Sequence, residues 1–201
     1  MSRLTSKNQA PAILRPAGRR AVLGGLLAMI GAGSPWGRCL AQSDLQAAEY
    51  KVKAAFLYKF ASYVEWPADV FEPDSPFVIG VTGADALADE LAQIVVGRSI
   101  GGRPVAVRKL HRGDPVSGLH ILFIGRSDRG LPSDVLASAK GRPVLTVTES
   151  EEAFALGSVI NFVIVDDKVR FDVALREAEL ANLKVSARLL SVARKVLTGP
   201  S

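Results

Sequence analysis

Four short runs, Phe77–Thr82 (FVIGVT), Leu119–Ile124 (LHILFI), Pro143–Val147 (PVLTV) and Val159–Val165 (VINFVIV), are apolar almost throughout, and segments of helical character separate them. A strand that is apolar on both sides has to be covered on both sides, which is the condition of parallel strands held between two helical layers. The helical segments fit that role. Ala84–Val96 carries Leu87, Leu91, Ile94 and Val95 on one side and is broken by Gly97–Gly102, while Pro132–Lys140 and Ser150–Leu156 are shorter. Pro104–Leu110 alternates Val105 and Val107 with charged neighbours, which suits a less buried strand. Asp166, Asp167 and Lys168 have turn chemistry and lead Val159–Val165 into Val169–Val173, a hairpin. Two helices then follow, Leu175–Ala181 and Val185–Leu197, the second burying Val185, Leu189, Val192 and Val196 and turning Arg188, Arg194 and Lys195 outward. The reading is a single-domain three-layer α/β sandwich with a largely parallel sheet and a C-terminal hairpin plus helices.

Ahead of these runs, Glu49–Pro67 (EYKVKAAFLYKFASYVEWP) has a helical period, with Val52, Phe56, Leu57, Phe60, Tyr63 and Val64 on one arc. That arc predicts a buried face, closed by Trp66-Pro67 because the residue before a proline is pushed out of the helical region. Lys53 interrupts the arc. The expectation is that its stem covers the core edge while its ammonium reaches water.

The chain is nominally basic, with 25 Lys and Arg against 20 Asp and Glu. Six of the basic residues and none of the acids lie in residues 1–41, so the remainder carries 19 against 20 and is close to neutral. A nucleic-acid binder is excluded on that ground. The first 41 residues have the layout of a cleavable export signal: a basic leader through Arg20, thirteen uncharged residues from Ala21 to Gly33, and small residues before Gln42. Thirteen are too few to span a bilayer. The expected mature protein therefore starts at Gln42, is periplasmic, and lacks Cys39, the chain's single cysteine, so its core must hold it together without disulfides.

Polar groups suited to catalysis are few. His111 and His120, the two histidines, have no metal-type spacing around them and read as solvated loop and strand-edge residues. Gly125-Arg126-Ser127-Asp128-Arg129-Gly130 follows a strand, but its second glycine sits one position too far along for a nucleophile elbow at Ser127. A small ligand would meet Arg126, Ser127, Thr148 and Glu149, which strand order places at the carboxyl ends of strands. Neither a cofactor nor a metal is expected. Asn161, inside an apolar strand, needs a hydrogen-bond partner, most simply backbone of the adjoining loop, and Arg170 is expected to pair across the hairpin with Asp166 or Asp167.

Two blocks carry a family resemblance. In the first, Lys53, Leu57, Lys59 and Phe60 precede Trp66-Pro67. In the second, Ile160-Asn161-Phe162, Arg170-Phe171 and Leu183-Lys184-Val185-Ser186 follow in order. In these positions the chain resembles the YfiR family of periplasmic proteins, and the resemblance spans residues 42–201 almost entirely. It departs in lacking paired cysteines, in Ala174 where the family has asparagine before a helix, and in Asn182 where it has glycine. The resemblance implies a non-catalytic regulator that represses a membrane-anchored diguanylate cyclase by binding its periplasmic region. Cyclic di-GMP and biofilm formation would fall with that binding. It also implies capture by an outer-membrane lipoprotein and a homodimer. Lys59, Trp66 and Arg188 are the family-block positions expected to face a partner. Two other readings compete: a periplasmic domain that senses a small molecule, and a hydrolase using Ser127.

Overall fold

The computed structural model describes residues 36–126 and 132–199. The leader expected over residues 1–41 falls outside them, apart from 36–41 at the start of the first helix. In chain order the elements are α1 (Trp36–Phe60), β1 (Val64–Glu65), a 3-10 turn (Ala68–Val70), β2 (Phe77–Thr82), α2 (Asp85–Val95), β3 (Ser99–Ile100), β4 (Arg103–Leu110) and β5 (Ile121–Ile124). There follow α3 (Pro132–Ala139), β6 (Leu145–Thr148), α4 (Glu151–Ala155), β7 (Ile160–Val165), β8 (Lys168–Ala174), α5 (Leu175–Leu180), β9 (Lys184–Val185), α6 (Ala187–Val192) and β10 (Lys195–Leu197).

Eight strands form one sheet in the order β10-β8-β7-β6-β5-β2-β4-β3, parallel throughout except at β7/β8 and β3/β4. Alternation along each strand sends side chains to two separate cores. Ile79, Val81, Phe123, Val147, Phe162 and Phe171 pack under α1 and α2 on one face. Leu122, Ile124 and Val144 pack with Leu136 and Ala139 of α3 on the other. The result is the expected three-layer α/β sandwich. On the first face, Phe60 of α1 stacks against Phe162 at 5.7 Å and meets Phe171 edge-on at 5.1 Å, while Phe56 meets Phe171 at 5.6 Å. Each such pair adds roughly 0.5–1.5 kcal/mol to the area it buries, so the aromatic contacts clamp α1 onto the β7–β8 hairpin.

The hairpin turn follows the sequence reading. Val165 pairs with Lys168, and Asp166 and Asp167 between them have φ of 49° and 55°, the two left-handed residues of a tight hairpin that matches strand twist. Arg170, however, lies opposite Val163 in register and is exposed, so the expected ion pair with Asp166 or Asp167 does not form among the described residues.

Two elements differ from expectation. The first helix stops at Phe60 rather than at Trp66-Pro67: the amides of Ser62 and Tyr63 close a tight turn onto the carbonyls of Lys59 and Phe60, at 2.9 and 3.0 Å. Val64 and Glu65 then pair antiparallel with Val185 and Lys184, and this long-range ladder competes successfully with continued helix. Val52, placed on the buried arc by period alone, is 44% exposed. At the other end, Val185–Leu197 is not one helix. Ser186 caps α6, its hydroxyl accepting from the Leu189 amide at 3.3 Å, and α6 ends after Val192, which is 61% exposed instead of buried. Arg194 then stays exposed, as expected, while its amide bonds to the Phe171 carbonyl at 2.8 Å and its Nε to Asp172 at 2.7 Å. Asp172 is itself buried, and a buried carboxylate demands a cation. Meeting that demand pulls the chain out of helix and lays β10 along β8.

Candidate functional site

From β2 the chain passes through α2 to β4 on one side of β2, then returns to place β5 on the other side. Sheets of this kind take ligands where the strand order reverses, outside the carboxyl ends of the strands. That point lies between Thr82-Gly83 and Ile124-Gly125, and here the two strand ends are drawn together. The Gly125 amide donates to the Thr82 carbonyl at 2.8 Å. A Cβ at Gly125 would stand 2.5 Å from the Gly83 carbonyl oxygen and 2.7 Å from the Ala84 Cβ.

One strand further along, the chain fills the carboxyl end of β6 with its own charges. Lys53 descends from α1, is 0% exposed, and pairs its ammonium both with Glu149, directly after β6, and with Glu49 one turn back in α1. Glu149 Oε1 also accepts the Arg126 amide at 2.9 Å, and its backbone carbonyl accepts Arg126 Nε at 3.0 Å. The Tyr50 and Phe162 rings lie 5.8 and 5.9 Å from the ammonium. The expectation that this lysine reaches water is therefore wrong. Its partner sits 96 positions away, beyond the reach of any local pattern, although a lysine on an apolar arc is a signal that a distant carboxylate is owed to it. Chemically the arrangement is a buried strut in which one ammonium engages two carboxylates.

Of the residues expected to meet a small ligand, Arg126 and Glu149 thus hold each other. Both also line an open cleft of about 740 Å³, shared with Ser150, Asn161 and Ile164. Thr148 is fully buried behind it and donates its hydroxyl to the Asn161 amide oxygen at 3.2 Å. That contact gives Asn161 a side-chain partner from the next strand, where loop backbone had been expected. Ser127 lies outside the described residues. Among the described residues, no group of three or more side chains is arranged to hold a metal ion.

The positions expected to face a partner lie around the end of α1. Lys59 is exposed in its last turn, and Arg188, exposed on α6, sets its guanidinium 5.7 Å from the ring of Tyr63, one turn beyond Lys59. Trp66 is less free. Its indole N–H donates to the His120 carbonyl at 3.2 Å, and its ring meets Phe77 edge-on at 5.1 Å.

His120 is a second correction. It is 3% exposed instead of solvated, stacked against the rings of Phe71 at 4.9 Å and Phe77 at 4.6 Å, which also meet each other at 6.4 Å. Burial, with the nearby Arg103 charge acting in the same direction, holds its pKa below the ordinary histidine value. Phe71 comes from a proline-bounded connection that gave no sequence sign of packing. His111 is exposed, as expected.

The molecule is thus an α/β sandwich with an internal ion cluster and an open cleft at the carboxyl ends of its strands. The sequence profile of the YfiR/HmsC-like family matches residues 50–194, nearly the whole described domain, and the chain belongs to that family. The family is regulatory rather than catalytic, and its members act in the periplasm in cyclic di-GMP signalling. No curated protein matches the chain. Among the described residues no helix is long and apolar enough to cross a membrane.

Proposed function

We propose that this protein is exported by residues 1–41 and, as residues 42–201, represses a membrane-anchored diguanylate cyclase by binding its periplasmic region, lowering cyclic di-GMP. The family match across residues 50–194 carries this reading. The internally paired charges at the strand ends support it, since they leave those groups engaged with one another rather than free for a reacting substrate. In this reading the partner meets the end of α1, and the exposure of Lys59 and Arg188 there, with Arg188 beside the Tyr63 ring, supports that choice along with Trp66. An outer-membrane lipoprotein that captures the repressor, and a homodimer, complete the proposal.

The test is genetic. Deleting the gene should raise cellular cyclic di-GMP, and the rise should disappear when the gene for the membrane cyclase is deleted too. Lys59→Glu with Arg188→Glu should reproduce the rise while leaving the denaturation midpoint unchanged, because both side chains are exposed and exposed charges chiefly steer association. Cyclic di-GMP that is unaffected by deletion in both planktonic and surface growth would refute the repressor reading.

A further inference from the structure

We propose that His120 is an acid-operated release for the segment from Trp66 to Pro76, which it pins to the sheet through its ring and its carbonyl. The segment has three anchors. Phe71 lies flat on the His120 imidazole, 11° from parallel, and the Trp66 indole N–H is held by the His120 carbonyl. The third anchor is Arg103, whose guanidinium donates to the carbonyls of Glu72 and Ser75, at 2.7 and 2.9 Å, and lies 4.9 Å from the centre of the Phe71 ring. Two of the three pass through one titratable residue.

The geometry fixes the protonation state. His120 Nδ1 accepts the Val78 amide at 3.0 Å, so the ring proton of the neutral form is on Nε2. Nε2 is buried with no hydrogen-bond partner, a rare condition for a buried polar atom. A second proton would have to go on Nδ1, directly against the Val78 N–H, turning an acceptor into a donor that faces a donor. The charge would arise in a buried site, and the surroundings offer little to compensate it. β2 presents Phe77, β6 contributes the Leu145 amide to the His120 carbonyl at 2.8 Å, and β4 presents Arg103, a like charge. The segment itself carries Asp69, Glu72 and Asp74, all exposed. An imidazolium is therefore unstable in the stack and is relieved by leaving it, which removes the plate under Phe71 and disturbs the carbonyl that holds Trp66. Histidine is the side chain whose ordinary pKa makes such a device useful near neutral pH.

The sign follows from the direction of the shift. The folded-state pKa lies below the ordinary value of 6.5, so the contribution of the neutral ring is complete above pH 6.5 and is lost as pH falls from there toward the folded pKa.

The experiment uses the full chain carrying Trp36→Phe, which leaves Trp66 as its single tryptophan, with ¹⁵N-histidine NMR and indole fluorescence followed together from pH 8 downward. With two histidines in the chain, the His120→Asn variant assigns their signals. The expected result is that His120 stays neutral in the Nε2–H form at pH 6.5 and above. Its protonation, at lower pH, should coincide with a Trp66 fluorescence change and with roughly tenfold faster hydrogen exchange at the Val78 amide, while the global fold persists. His120→Asn keeps an acceptor for Val78 and removes the titration, so the fluorescence step should vanish. His120→Phe keeps the stack and should do the same. The proposal is overturned if either folded variant retains the step, if His120 titrates with no change at Trp66, or if it first titrates only as the whole protein unfolds. Should neither variant fold, the coincidence of the NMR and fluorescence transitions in the His120 protein decides the matter.

Discussion

Replacing Lys53 by methionine tests the internal ion cluster directly. Methionine keeps most of the length and apolar stem of lysine but removes the cation, so the two carboxylates it held respond differently. Glu49, with 27% of its side chain exposed, can turn to water, whereas Glu149 at 3% cannot. Glu149 is left buried with the Arg126 amide as its remaining charge-stabilising donor. Breaking a buried pair in this way costs about 3–5 kcal/mol, a large share of the roughly 5–15 kcal/mol that holds a domain together. With a urea slope of about 1–3 kcal/mol/M, the unfolding midpoint should fall by roughly 1–5 M. The second half of the argument is a cycle. Adding Glu149→Gln to Lys53→Met removes the orphaned charge, and neutral replacement of a buried pair is often tolerated. The double variant should therefore be more stable than Lys53→Met alone by about 2 kcal/mol. A midpoint change worth less than about 1 kcal/mol in Lys53→Met, or losses that simply add in the double variant, would show that the pair is not coupled as described.

Two further substitutions probe places where the structure sets sequence preference. Gly125→Ala should lower the denaturation midpoint by an amount equal to about 1–3 kcal/mol of overpacking, because its new methyl would fall on the Gly83 carbonyl; an unchanged midpoint would mean the two strand ends separate freely. Ala174→Asn, attractive in sequence as an N-cap, is expected to lower the midpoint. The position is the N-cap of α5 and has no side-chain cap, yet it is 2% exposed, so a gain of about 0.5–2 kcal/mol from capping is offset by inserting an amide into packed space. A rise in the midpoint would refute that balance.

Local pattern was enough for much of the architecture. FVIGVT at residues 77–82 is β2 without adjustment of either end, because a short run apolar on both faces has few alternatives to a central strand. The Asp166-Asp167 turn was equally legible, since the left-handed conformations it needs are ones aspartate tolerates. The failures share one physical cause. Lys53, His120, Val64 and Arg194 owe their placement to partners far off in sequence: Glu149, Phe71, Val185 and Asp172. Helical periodicity records which face of a segment is apolar, not which distant group will meet its one exception. In Val185–Leu197 a helical pattern was real but was outcompeted by a sheet edge and a buried carboxylate. Of the candidate ligand residues, Arg126 and Glu149 lie just beyond the ends of β5 and β6 and Thr148 at the end of β6, while the engagement of Glu149 with Arg126 and Lys53 was invisible.

The pairing of β1 with β9 has a consequence for the order of events when the chain is made. Val64 lies against Val185, and α1 rests on Phe162 and Phe171 while its lysine waits for Glu149. The helix synthesised first is thus completed by segments synthesised last, and closing loops of that length is slow. A ribosome would have to finish the β7–β8 hairpin before Phe60 met Phe162 and Phe171. Until then that part of its apolar stripe lacks its aromatic partners, which makes the nascent chain a client for holding factors. Removing the residues from β9 onward should deprive the first helix of its closing strand.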